Sequence, residues 1–351
     1  MVTSNLWMSS LKMSVATVAW DEKIDGHALD PIHLPRPPFG FGNGHLQSIY
    51  PALWRRVPAV NWNRERIDTP DGDFLDLDCS GSRSKRVAIL SHGLEGHANQ
   101  PYIRGMAHAL MKRGWDVVAW NCRGYSGEPN RLLPFYHSGS SDDLETVLNH
   151  VLAQGRWSEI SLVGFSLGGN QTLKLLGELG ESVDDRVVGA VAFSVTCDWA
   201  ASSIRLGEWE NRIYMARFMK TLRQKAITKE RMFPGQLDLN GLADMKTFKQ
   251  FDDRYTAPLH GFADAEDYWT QCGSGRFLPA IRGPTLLVNA RDDPFLAGRC
   301  FPREEAQKNP HFWLETPARG GHVGFVTRGN DGEYWSETRA VEFLGKLCEG
   351  R

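Results

Sequence analysis

From Arg86 onward the chain alternates between two hydrophobic patterns. Short apolar runs, "RVAILSH", "DVVAWN", "EISLVGF" and "RVVGAVAFSV", are separated by segments whose apolar residues recur every three or four positions. Such a run keeps little polar face for solvent, so each predicts a strand buried on both sides. The segments between them predict helices over residues 102–113, 142–154 and Leu167–Leu179. In the second of these, Leu144, Val147, Leu148 and Val151 form one stripe. After an interruption the pattern resumes with strand "PTLLVNA", helix Arg303–Lys308, strand "HFWLET" and a helix over 334–348. Strands alternating with helices require right-handed crossovers. The class is therefore α/β, a mostly parallel sheet covered by helices on both faces. Ligands of such a sheet bind beyond the carboxyl ends of its strands.

Two regions fall outside the alternation. Residues 31–58 are rich in Pro and Gly and predict an irregular arm with a short helix over 46–54. A strand pair follows at 61–68 and 73–79, split by the turn Pro70-Asp71-Gly72. The interruption at about 198–278 has helical stretches and carries Trp199, Trp209, Phe218, Phe248, Phe251 and Trp269. It predicts an inserted helical lid, with some aromatic rings lining an apolar pocket and the rest packing the lid onto the sheet. The expected organisation is a tail and wrapping arm over 1–69 and a main domain over 70–351, with the lid inserted.

One strand-to-helix junction reads "LVGFSLGGN". A serine hydroxyl becomes a useful nucleophile when it stands clear of its neighbours beside a base. A tight turn from strand to helix achieves this, provided the flanking positions are small. Gly164 and Gly168 supply that room around Ser166. The following helix aims its first amides at the same point, where an anion would be stabilised.

A nucleophilic serine needs a base, and the base needs an orienting acid, in the chain order serine, acid, histidine for this kind of sheet. Three histidines follow Ser166: His260, His311 and His322. His260 lies in the lid and His311 begins a strand. His322 lies in "PARGGHVGF", a glycine-rich loop after a late strand, and is the expected base. The preceding strand ends in "NARDDPF". Asp293 is the favoured acid, with Asp292 bonding local backbone. Asp198, at the end of an earlier strand, remains a further candidate, though it suits a helix N-cap better. Two backbone amides are expected to bind an oxyanion. They belong to Leu167, next to the nucleophile, and Leu94 in "LSHGLEG", where His92 is expected to order the loop.

The segments "SHGLEG", "WNCRGYSGEPN", "GFSLGGN", "NARDDPF" and "GGHVGF" together resemble the YheT-like branch of the α/β-hydrolase superfamily. "FGNGHLQSIYPALWRR" and "TAPLHGFADAEDYW" are similar to the same branch and are more specific to it. The resemblance covers roughly residues 35–345. It implies the α/β-hydrolase fold and a serine esterase or lipase-like activity with a triad of Ser166, Asp293 and His322. Eukaryotic members tend to carry an N-terminal membrane segment; residues 1–20 here hold no clean apolar run.

The expected reaction is carboxylic-ester hydrolysis through an acyl-enzyme, without a cofactor. A thioesterase or amidase with the same triad, or a binding protein that has lost catalysis, are the alternatives. A haloalkane dehalogenase is disfavoured, because its elbow carries Asp where this chain has Ser166. Net charge is −2, so no electrostatic footprint for nucleic acid exists. The six cysteines show no paired spacing, and the histidines show no zinc motif. Reduced thiols, a cytoplasmic location, no metal and no stable membrane insertion are therefore expected, with a small ester or lipid-like substrate as the partner.

Overall fold

The apolar runs pair side by side as one sheet. The computed structural model describes residues 23–24, 27–28, 37–327 and 332–349. Of the tail and arm expected over 1–69, residues 1–22, 25–26 and 29–36 lie outside the described residues. The chain divides into two compact units, residues 1–34 and 35–351. In the first, Lys23–Ile24 pairs antiparallel with His27–Ala28.

The larger unit has eight strands: β1 (Asn63–Asp68), β2 (Phe74–Ser80), β3 (Arg86–Ser91), β4 (Asp116–Asn121), β5 (Glu159–Phe165), β6 (Val187–Phe193), β7 (Thr285–Val288) and β8 (Phe312–Glu315). Their spatial order is β1-β2-β4-β3-β5-β6-β7-β8. The β1–β2 and β2–β4 pairings are antiparallel, and the others are parallel. The chain winds from β3 out to β4 and then returns to the other side of β3 for β5. This reversal is the switch point at which parallel sheets bind ligands. The loops after β3 and β5 meet there.

Burial explains the strand sequences. Every residue of β4 and β6 is buried, as continuous apolar runs require. Helices α2 (Pro101–Met111), α3 (Ser141–Ala153), α4 (Leu167–Leu179) and α9 (Trp335–Glu349) cover the sheet. α8 (Arg303–Lys308) joins β7 to β8. The arm supplies α1 (Gly44–Trp54), which starts two residues before the expected 46. Asn43 accepts hydrogen bonds from the amides of His45 and Leu46 and so fixes that start.

Between β6 and β7 the described chain holds no strand. It forms α5 (Trp199–Gly207), α6 (Arg212–Met232), a run over 248–259 that passes through a π-helical stretch at Asp252–Thr256, and α7 (Ala265–Cys272). This insertion has its own apolar core, in which Trp199, Met219, Phe248, Phe251 and Trp269 are buried together. Those aromatic rings therefore hold the insertion together. Trp209 is 72% exposed.

Candidate active site

Ser166 sits at the C-terminal end of β5 as the residue before α4, with φ +53° and ψ −116°. That conformation is strained for a side chain bearing Cβ and persists only when the surroundings enforce it. Two backbone bonds do so. The Ser166 amide donates to Phe193 O at 2.8 Å, and its carbonyl accepts from the Asn170 amide at 2.9 Å. A Cβ at Gly164 would lie 2.6 Å from Gly168 O, and one at Gly168 would strike the carbonyls of Ser91 and His92. Strand, elbow and β3 loop close on one another only because these positions are glycine.

His322 arrives from the loop after β8. Its Nε2 is 2.9 Å from Ser166 Oγ, and its Nδ1 is 2.9 Å from Asp293 Oδ2. Asp293 has no side-chain exposure and His322 has 11%. The Phe295 amide donates to Asp293 Oδ1 at 2.9 Å. With one carboxylate oxygen held, the other is fixed towards the imidazole. The Phe295 ring lies 4.1 Å from the imidazole, centroid to centroid, and covers one face.

The neighbouring candidates fall elsewhere. Asp292 accepts from the Gly321 amide at 2.9 Å and so anchors the His322 loop. Asp198 caps α5 through the Ala201 amide. His260 lies against His137, with tilted rings 4.3 Å apart, and bonds no atom of Ser166. His311 stands where β8 begins, its carbonyl accepting from the Thr285 amide at the N-terminal end of β7. That is the opposite end of the sheet from Ser166. His92 is buried, and burial pushes its pKa down to about 4. The neutral ring donates from Nδ1 to Gly93 O and accepts the Cys122 amide at Nε2, tying the β3 loop to the end of β4.

The backbone after β3 runs close to the elbow, since a Cβ at Gly93 would lie 3.1 Å from Ser166 Cβ. The Gly93 amide donates to the Tyr102 hydroxyl and the Glu95 amide to the Tyr136 hydroxyl, both at 2.9 Å. The Leu94 amide between them, like that of Leu167, has no acceptor among the described hydrogen bonds. Glu95 holds an unusual φ of +58°. Its carboxylate lies 3.0 Å from Lys225 of α6 and also accepts from Tyr136.

Several of these supports escape sequence reasoning. The arm helix α1 braces the His322 loop. Ser48 Oγ accepts the His322 amide at 2.7 Å, and Gln47 accepts the Val326 amide. A Cβ at Gly321 or Gly324 would collide with backbone oxygens of Gly44 or Gln47, so the loop glycines make room for α1. The signal was present in "FGNGHLQS", but it marks kinship without stating a role.

A cavity of about 350 Å³ opens over Ser166 and His322. Ile49 and Leu53 of α1, Leu94, Phe218 of α6 and Phe295 give it apolar walls. Of the six aromatic residues named for the insertion, Phe218 reaches the cavity, and Tyr214 reaches it as well. Among the described residues no group of His, Cys, Asp or Glu is placed to hold a metal ion. No helix there is long and apolar enough to cross a membrane.

Residues 88–328 match the family model for the α/β hydrolase fold. The chain is similar to the YheT protein of Escherichia coli (strain K12), at 36% identity over 325 residues, covering 90% of this chain and 94% of that one. It is also similar to phospholipase ABHD3 of Mus musculus, at 31% identity, covering 80% of this chain and 74% of that one. Among solved structures, the esterase Pf2001 of Pyrococcus furiosus superposes with a TM-score of 0.58. It is 16% identical and covers 91% of this chain and 100% of that one.

Proposed function

Because the chain belongs to the α/β-hydrolase family, on its YheT-like, esterase- and lipase-type branch, we propose that it is a serine hydrolase cleaving carboxylic esters through an acyl-enzyme. One observation carries this reading. Ser166 Oγ, the His322 ring and Asp293 Oδ2 form a line of two 2.9 Å contacts at the wall of an apolar cavity.

In this mechanism His322 Nε2 removes the hydroxyl proton as Ser166 Oγ attacks the ester carbonyl. Asp293 keeps the other ring nitrogen protonated and offsets the imidazolium charge. The amides of Leu94 and Leu167 receive the oxyanion. Collapse expels the alcohol, which takes the proton from His322. Water then attacks the acyl-serine, again with His322 as base, and releases the acid. Removing one oxyanion donor typically costs 10²–10³ in rate, so the pinned Leu94 peptide is an essential part of the site.

The apolar walls suit an acyl or lipid-like chain, in keeping with the phospholipase relative. The test is Ser166→Ala. The variant should keep the native circular dichroism spectrum, lose short-chain nitrophenyl ester hydrolysis by about 10³-fold or more, and escape labelling by a fluorophosphonate probe. Undiminished labelling of the variant would refute the assignment.

A further inference from the structure

The cavity over Ser166 has charged as well as apolar walls, and most of its charge is already matched by the protein. Arg55 bonds Glu337 at 2.9 Å and stacks on the Tyr334 ring. Glu95 is matched by Lys225 at 3.0 Å. His322 is the proposed base and is held by Asp293. The remaining cation of the lining is Arg217, whose guanidinium has no ion pair and no hydrogen bond among the described residues.

Its helix explains why. Tyr214, Arg217, Phe218 and Thr221 of α6 recur at helical spacing and all line the cavity. The stripe continues to Lys225, held by Glu95, and to Lys229, held by the carbonyls of Asn130 and Leu132. Lys225 and Lys229 are thus covered and satisfied by the protein, whereas Arg217 is exposed at the cavity wall. The positions three and four residues from Arg217 are Ile213, Tyr214, Lys220 and Thr221, so no acid is placed to pair with it along the helix. Glu230 is the one acid in α6, and it is occupied by the amides of Gly235 and Leu237.

Resting on the proposed esterase reading, we propose that Arg217 recognises an anionic group, a carboxylate or a phosphate, carried by the ester substrate. A planar guanidinium presents paired donors that match both groups. One end of the substrate would then be fixed by Ser166 and the other by Arg217, with the apolar walls between. An anionic ester should react in preference to its neutral counterpart.

The test compares matched pairs of esters. Nitrophenyl hydrogen glutarate against nitrophenyl valerate places a carboxylate at the end of the acyl chain. Hexanoyl glycerol 3-phosphate against hexanoyl glycerol places a phosphate on the alcohol side. The wild type should favour the anionic member of at least one pair by roughly tenfold or more in kcat/KM, as expected of a charge-assisted contact. The favoured pair identifies the source of the anion. The anionic-to-neutral ratio should fall towards one in Arg217→Gln, persist in part in Arg217→Lys, and drop below one in Arg217→Glu. A wild-type ratio near one for both pairs, or an unchanged ratio in Arg217→Gln, overturns the inference while leaving Ser166-dependent hydrolysis intact. If no ester is cleaved, the esterase reading fails by itself. Calorimetric binding then decides the inference: hexyl phosphate or hexanoate must bind wild type more tightly than hexanol does, and Arg217→Gln must abolish the difference.

Discussion

Replacing Lys225 by Met separates two roles of the insertion, stabilising the fold and shaping the site. The Lys225 ammonium lies 3.0 Å from Glu95 Oε1, with side-chain exposures of 11% and 7%. It also sits over the rings of Tyr136 at 4.2 Å and Tyr125 at 4.5 Å. Burial pushes the Glu95 carboxyl up, but the Lys225 charge and several hydrogen bonds outweigh it and hold the pKa below its ordinary value. Methionine fills the aliphatic stem and removes the charge, leaving a buried carboxylate without a counter-ion. Breaking a buried pair in this way costs about 3–5 kcal/mol. The partial exposure of this pair favours the lower end. Without Lys225 the Glu95 pKa rises. The loss should therefore be largest above neutral pH, where the carboxylate is charged, and shrink as the pH falls and it protonates.

The catalytic consequence follows from Glu95 φ +58°, a conformation that costs about 1–3 kcal/mol and needs enforcement. Lys225 enforces it from one side and the Tyr136 hydroxyl from the other. If Glu95 relaxes, the Leu94 amide should turn away from the position proposed for the oxyanion. In Lys225→Met, kcat for a nitrophenyl ester should fall about 10²-fold with KM little changed, because the donor acts on the transition state more than on bound substrate. Urea unfolding at pH 8 and pH 5 gives the stability arm, and steady-state kinetics on folded protein gives the other. A folded variant with kcat within twofold of wild type would refute the link from Lys225 to the Leu94 amide.

Asp293→Asn should lower kcat by roughly 10³–10⁴-fold, since an amide favours the wrong imidazole tautomer. Asp292→Asn should stay within about tenfold, because the amide oxygen can still accept the Gly321 N–H; parallel kinetics of the two variants checks the order. Burial raises the Asp252 pKa to about 7, against the lowering effect of bonds from Thr256 and Trp269. The folded state then holds this proton more tightly than the unfolded chain, whose carboxyl titrates near 4. Its stability contribution is intact below about pH 4 and declines as pH rises towards 7. At about 1.4 kcal/mol per pH unit between those values, Asp252→Asn should be more stable than wild type by roughly 4 kcal/mol at pH 8 and roughly 1.5 kcal/mol at pH 5, read from urea midpoints.

Local pattern made the sheet legible. The runs at β4 and β5 agree with the observed strands residue for residue, because a strand buried on both faces leaves its signature in consecutive side chains. The elbow was legible for the same reason, since strand, serine, flanking glycines and helix are neighbours in sequence. His322 and Asp293 were reached through chain order and loop position, and the fold brings both into line with Ser166. The fate of the insertion's aromatic residues was not legible. Phe218 faces the cavity while Phe248 is buried in the insertion's own core, yet both are phenylalanines on helical segments. Periodicity gives the side of a helix that is covered but not what covers it.

The supports of the site were hidden for a related reason. Ser48 meets the His322 amide across 274 residues of chain, and Lys225 meets Glu95 across 130. Neither pairing has a local signature, and a glutamate at positive φ runs against its own propensity. Local rules should fail where distant segments converge to hold a strained backbone. Here the arm grips the histidine loop while α6 grips the β3 loop, and the two gripped loops carry His322 and the Leu94 amide. The residues proposed for the chemistry lie in short motifs, whereas Gln47, Ser48 and Lys225, which help to hold them, come from the two regions outside the strand–helix alternation. A change at Lys225 of α6, which does not line the cavity, should therefore reach catalysis through position alone.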